Sequence, residues 1–211
     1  MKGTFVTFEG GEGAGKTTQI KLLEANLQRF ERDVVVTREP GGTQGAEAIR
    51  ELILNPGAFN FSSMTETLLF FAARRDHVEK VILPALNRGA IVLCDRFLDS
   101  TFAYQSALGN IQRTVIWEVA KLVLDDIKPD LTFMLDVEPE QGLKRAAVRR
   151  GVDATDRFES ESMEFHKRIR DQFLAIAKAE PKRCVVVSGD QQPDDIAKQI
   201  FETYMQRLAD K

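Results

Sequence analysis

Residues 8–18 read FEGGEGAGKTT, and this stretch decides the fold. Within it, Gly10 to Thr17 fits Gly-x4-Gly-Lys-[Ser/Thr], after an apolar run and before a segment of helical spacing. The glycines permit a turn whose backbone N–H groups point inward at anionic oxygens. A helix starting near Gly15 adds the positive end of its dipole. Lys16 can neutralise charge on the outer phosphates, and the Thr17 hydroxyl can bind Mg²⁺. Gly10, Gly11, Glu12, Gly13, Ala14, Gly15, Lys16, Thr17 and Thr18 are therefore expected to bind nucleotide phosphates. The pattern arises by accident in roughly one chain in a hundred of this length, and its place between strand and helix lowers that further.

Outward from this loop, continuously apolar runs at Thr4–Phe8, Val34–Thr37, Ala90–Leu93, Leu131–Asp136 and Cys184–Ser188 read as strands covered on both faces. Helical spacing recurs between them, at Thr17–Phe30, Ala46–Leu54, Glu66–Leu86, Arg113–Asp126, Glu140–Arg150, Ser160–Ala179 and Pro193–Leu208. This alternation predicts an α/β fold with a parallel sheet wrapped by helices. The 211 residues suit one domain, spanning 1–211, with no internal repeat or dividing linker. The charged segment Arg149–Ser162 reads as a flap over a site or as a helix–helix connection, and spacing alone favours the connection.

Thirty-two acidic against 29 basic residues give a net charge of −3, opposite to the footprint of a general nucleic-acid binder. Cys94 and Cys184 lie in apolar runs as small hydrophobes that need no disulfide. No signal-peptide pattern and no membrane-length apolar stretch is present, so a cytoplasmic protein is expected.

Arg38 and Arg96 each follow a strand, where side chains project into the crevice in which α/β sheets bind ligands. Either alone would read as a surface arginine. Two beside a phosphate loop point to a second phosphate-bearing substrate. Asp95 ends the run AIVLCD, placed to hold Mg²⁺ or its waters, or else to pair with Arg96. The Asp-x-x-Gly and Asn-Lys-x-Asp strings of regulatory GTPases and the Leu-Ser-Gly-Gly-Gln of transporter ATPases do not occur.

Taken together, FEGGEGAGKTTQ, TREPGGT, LLFFAARRDH, VLCDRFLDSTFAYQ, PDLTFMLDV and DRFE, in this order and spacing, resemble the bacterial thymidylate kinases. The resemblance runs from Phe5 to about Glu161. It implies a P-loop NTPase fold with a five-stranded parallel sheet and a small lid over about 145–162. It also implies a homodimer, with ATP and dTMP as substrates and Mg²⁺ as cofactor. The implied reaction is phosphorylation of dTMP to dTDP in deoxynucleotide biosynthesis. Kinases of other nucleoside monophosphates, and a P-loop regulatory ATPase, are the alternatives.

By the same resemblance Arg38 and Arg96 hold the dTMP phosphate, Glu12 accepts from the 3′-hydroxyl, and Glu39–Pro40 is a cis bond. Phe70 stacks on the base and Arg74 donates to its O4. The two are four apart on one helix face, and Phe71 is the better core residue. Thr101 and Gln105 approach the base edge while Tyr104 crowds the sugar's 2′ position. Thr17, Asp95 and Glu9 form the metal group, Glu9 reading equally well as a structural strand-end carboxylate. Lys16, Arg96 and a lid arginine are the expected catalytic cations. Arg149 is the first candidate, Arg157 the second, and Arg145 and Arg150 the others. His77 and His166 receive no chemistry, and Trp117 reads as core or dimer surface.

Overall fold

The structure is a computed structural model describing residues 3–55, 59–109, 111–150 and 158–208. β1 (Thr4–Glu9), β2 (Val34–Arg38), β3 (Ile91–Asp95), β4 (Leu131–Asp136) and β5 (Cys184–Ser188) pair in parallel in the order β2-β3-β1-β4-β5. The central strands are buried on both faces, as their unbroken apolar runs predict. The edge strands depart from that expectation. Val36 of β2 and Val186 of β5 are exposed, because an edge strand gains covering helices only in part.

Alternate residues of each strand feed opposite cores. Val6 and Phe8 meet Ile20, Leu23 and Leu27 of α1 (Lys16–Gln28) and Ile196, Ile200 and Tyr204 of α9 (Pro193–Leu208). Phe5, Val92 and Met134 face the other core. There they meet α3 (Ser63–His77), α4 (Leu83–Asn87), α5 (Leu98–Gly109), α6 (Arg113–Leu124) and α8 (Met163–Ala179). α2 (Gln44–Leu54) packs on α3, and α7 (Pro139–Arg150) packs on α8. Thr43, Ser62 and Ser162 cap α2, α3 and α8 through their side-chain oxygens. The spacing that reads as one helix over 66–86 is α3, a π turn at Val78–Ile82 and α4 in succession. Pro84 has no N–H to give the preceding turn, and the helix widens there. Cys94 and Cys184 are buried free thiols, both pushed up by burial, Cys184 to about 12.

Glu9 ends β1 inside the protein, fully buried. One of its oxygens accepts from the Phe97 N–H at 2.8 Å and the other from the Ser100 hydroxyl at 2.6 Å. It thus ties β1 to the start of α5. Both Glu9 oxygens serve this tie and the residue does not line the cleft described below, which favours the structural strand-end reading of Glu9 over the metal one. Burial, then the charge of Asp99, raise Glu9 to about 7, against the pull of Ser100, Arg96 and Phe97.

An unfolded Glu9 loses its proton near 4.5, whereas the folded one keeps it to about 7. Its contribution to stability is complete below 4.5 and is lost as pH rises through 7, a change of about 3 kcal/mol. Glu9→Gln, whose amide can accept from Phe97 and donate to Ser100, should remove that decline. Urea unfolding at pH 5 and pH 8 checks it; an unchanged pH dependence in the variant refutes it.

Candidate active site

Three strands end level with one another. Phe8 pairs with Asp95 and Arg38 pairs with Asp95, so the residues that follow open on one edge of the sheet. Above that edge lies a cleft of about 530 Å³. Glu12 to Thr18 form one side of it. Arg38, Phe70, Arg74, Asp95, Arg96, Thr101, Tyr104, Gln105 and Arg149 are among the residues that line its other sides.

At the loop end, Gly10, Gly13 and Gly15 have φ of 138°, 64° and 94°, which side-chain-bearing residues rarely adopt. Gly13 also needs its lack of a side chain, since a Cβ there would lie 1.9 Å from the carbonyl oxygen of Gly142 on α7. Lys16 Nζ donates to the carbonyls of Gly10 at 3.2 Å and Gly11 at 2.9 Å. Burial first, then the charge of Arg96, lower Lys16 to about 8 against Asp95, Glu12 and Glu9. The Thr17 hydroxyl donates to Asp95 Oδ2 at 2.9 Å. This carboxylate and hydroxyl are hard oxygen donors beside the loop, a set suited to Mg²⁺ completing its shell with phosphate and water.

Arg96 sits just beyond β3 with φ 70° and turns back over the loop. Its guanidinium donates to Gly10 O (2.9 Å), Ser100 Oγ (3.1 Å) and Glu12 Oε1 (2.8 Å). Tyr104 OH donates to the same Glu12 oxygen at 2.7 Å, with Arg96 over its ring. Burial alone would raise Glu12. Arg96, Lys16 and the Tyr104 hydrogen bond outweigh it and hold the carboxyl at about 2.

At the far end Arg74 is buried between the rings of Phe71 and Phe97. Its Nε donates to Glu39 Oε2 at 2.6 Å and Nη2 to Phe97 O at 3.0 Å. The other Glu39 oxygen accepts from His77 Nδ1 at 3.0 Å, and His77 Nε2 shares a 2.6 Å hydrogen bond with Thr37. A carboxylate can only accept, which puts the proton on Nδ1. Glu39–Pro40 is cis, as the resemblance implies. Phe71 is core and Phe70 half-buried on the cleft wall. Thr101 and Gln105 are buried on the same wall.

Glu39, His77 and Glu66, whose carboxylate receives the Gln105 amide, are site residues that the sequence reading did not find. The clue available was four chemistry-bearing residues, Glu66, Phe70, Arg74 and His77, recurring on one helical face. Glu47 was missed as well: it holds Arg38 at 3.1 Å and accepts from the Gly42 N–H at 3.0 Å.

Of the four candidate lid arginines, Arg149 stands exposed on the cleft wall. Arg145, one helical turn earlier, instead donates to Gly189 O at 2.8 Å and faces Asp190. Arg157 and the Arg150 side chain lie outside the described residues, as does the middle of the expected lid, 151–157. Trp117 is about half exposed on α6 against Phe102, so it is surface and not core.

A family model of thymidylate kinases matches residues 8–200. The chain is 53% identical to the thymidylate kinase of Bradyrhizobium sp. strain BTAi1 over 98% of its length and 92% of that protein's. It is 51% identical to that of Caulobacter vibrioides over 98% of each. The crystal structure of thymidylate kinase from Ehrlichia chaffeensis aligns with a TM-score of 0.79 at 36% identity, covering 96% of this chain and 99% of that one. A loop built for nucleotide phosphates, strand-end arginines lining the same cleft, and this likeness over almost the whole length agree: the chain belongs to the thymidylate kinase family.

Proposed function

We propose that this cleft transfers the γ-phosphoryl group of ATP to the phosphate of dTMP, giving dTDP. One observation carries the reading. A phosphate loop with Lys16, Thr17 and Asp95 shares a single cleft with an aromatic and polar pocket at Phe70, Arg74, Thr101 and Gln105, with Arg96 between the two.

ATP lies along residues 10–18, its phosphates taking the inward N–H groups and Lys16. Thr17 and Asp95 hold Mg²⁺, which supplies charge neutralisation on the phosphates when bound. The dTMP phosphate is taken by Arg38 and Arg96, the base by Phe70, Arg74, Thr101 and Gln105, and the 3′-hydroxyl by Glu12. Tyr104 crowds the 2′ position against a ribose. The attacking phosphate oxygen is already ionised, so no general base is required; positioning and charge neutralisation do the work. Arg149 adds the last cation from the outer wall. Met64 and Leu68 on α3 and Trp117 on α6, two helices that pack together, are exposed apolar residues available to a second copy.

Lys16→Ala should lower turnover by roughly 10²–10³ with the fold retained, because it removes charge set against the moving phosphoryl. Steady-state phosphorylation of a panel of monophosphates checks it; near-normal turnover in the variant, or equal use of every acceptor, refutes the assignment.

ATP phosphates should also raise the proton affinity of Lys16 above its unliganded value of about 8. Binding should then take up a proton and weaken as pH rises past 8, by up to about tenfold per unit. Calorimetry in buffers of different ionisation enthalpy reads this directly, and no uptake at pH 9 counts against it.

Arg149→Ala should reduce kcat by about 10³ with a smaller effect on dTMP binding. A kcat within about tenfold of the wild type would remove Arg149 from the mechanism.

A further inference from the structure

The inner wall of the cleft carries two buried polar atoms with no hydrogen-bond partner among the described residues, Gln105 Oε1 and Arg74 Nη1. Their side chains are almost completely buried, and both line the cleft. A carbonyl oxygen only accepts and a guanidinium nitrogen only donates. Buried groups of this kind are costly unless a ligand completes them. The wall therefore offers a bound base one acceptor and one donor.

That order has meaning only if the Gln105 amide cannot turn over, because rotation by half a turn exchanges its oxygen for an NH₂. Arg74 has no such freedom. Gln105 Nε2 donates to Glu66 Oε1 at 3.1 Å, and Glu66 is itself buried on the first turn of α3. An ionised carboxylate has no hydrogen to give. Turned over, Gln105 would set its oxygen against the Glu66 oxygen, two buried acceptors face to face, and send its NH₂ into the cleft.

We propose that Glu66 is a positioning residue that fixes the polarity of the base-reading wall. It locks Gln105 as an acceptor, so that the site takes a pyrimidine with a ring N–H beside a carbonyl and rejects one with a bare ring nitrogen beside an amino group. Thymine has the first pattern and cytosine the second. The device is blind to the 5-methyl group. It rests on the reading that this cleft takes the dTMP base, and it adds the residue that sets which way the base is read.

The test is kcat/KM for dTMP and dCMP with wild type and Glu66→Gln. A glutamine at 66 can either accept from or donate to Gln105, which frees the amide to turn. The dTMP-to-dCMP ratio should fall by at least about tenfold, with the absolute value for dCMP rising. A helix-end or packing role for Glu66 would lower both substrates and raise neither. In a Gln105→Met background, with no amide to turn, adding Glu66→Gln should leave the ratio unchanged. Glu66→Asp, which draws the carboxylate back by one methylene, is the second variant if Glu66→Gln does not fold, and it should shift the ratio the same way.

A ratio within about threefold of wild type in a folded variant, a parallel fall of both substrates, or a shift that persists in the Gln105→Met background overturns the proposal. So does failure of both Glu66 variants to fold, which would make Glu66 a structural group. A wild type inactive on dTMP overturns the functional reading beneath it. A selective wild type whose selectivity survives Glu66→Gln overturns the role of Glu66 alone.

Discussion

Arg96 holds the site together from one backbone position. Its amide donates to Phe8 O at 2.9 Å while its guanidinium reaches Gly10, Glu12 and Ser100. The ends of β1 and β3, the phosphate loop and the start of α5 therefore share one cation. A non-glycine residue at φ 70° costs of order 1–3 kcal/mol, and it persists here because these partners over-determine it. Arg96 also sets the local electrostatics, holding Glu12 ionised and working with burial to bring Lys16 down. Lys16 answers by donating to the loop's own carbonyls, contacts that an incoming phosphate can replace.

A second closed network lies opposite. Burying Arg74 and Glu39 would be prohibitive for either alone. Together with His77, Thr37 and the Phe97 carbonyl, the pair leaves a single guanidinium nitrogen without a partner among the described residues, and that atom belongs to a residue of the cleft wall. The rings of Phe71 and Phe97, 5.3 and 5.2 Å from the guanidinium carbon, fix its plane. The two networks do different work. One keeps positive charge beside the phosphate loop, and the other neutralises its charge internally and presents a directed donor.

What the sequence made legible follows from how local each signal is. An anion-binding turn must be written in consecutive residues, so residues 10–17 are readable without any contact map. Strand-end arginines need only strand boundaries, and these were displaced by a residue or two. The central strands read well because burial on both faces leaves an apolar run, whereas the same reading overstates β2, whose edge position is a property of the sheet. α5 shows no amphipathic stripe. Thr101, Phe102, Ala103, Tyr104 and Gln105 are all buried, with the core on one side and the cleft on the other, so periodicity had nothing to report. Glu39, Glu66 and His77 act through partners 35 to 40 residues away, and no short window of sequence contains such a pairing. Glu9 shows the converse. A carboxylate at a strand end before a phosphate loop invites a metal role, and only the partners of its two oxygens reveal a tie within the protein.

The contact between the phosphate loop and α7 bears on how the outer cation reaches the cleft. A Cβ at Gly13 would strike the Gly142 carbonyl, and one at Gly142 would lie 2.3 Å from the carbonyl oxygen of Glu12. Loop and helix therefore meet backbone to backbone, with no side chain between them to yield. At 1.5 Å per residue, the seven residues from Gly142 to Arg149 carry the helix about 10 Å outward from that contact. Arg149 is thus placed on the wall by the end of α7, at a distance set by helix geometry, and Arg145 is bonded to the loop after β5. The end of α7 that carries Arg149 is continuous with the part of the helix that meets the phosphate loop.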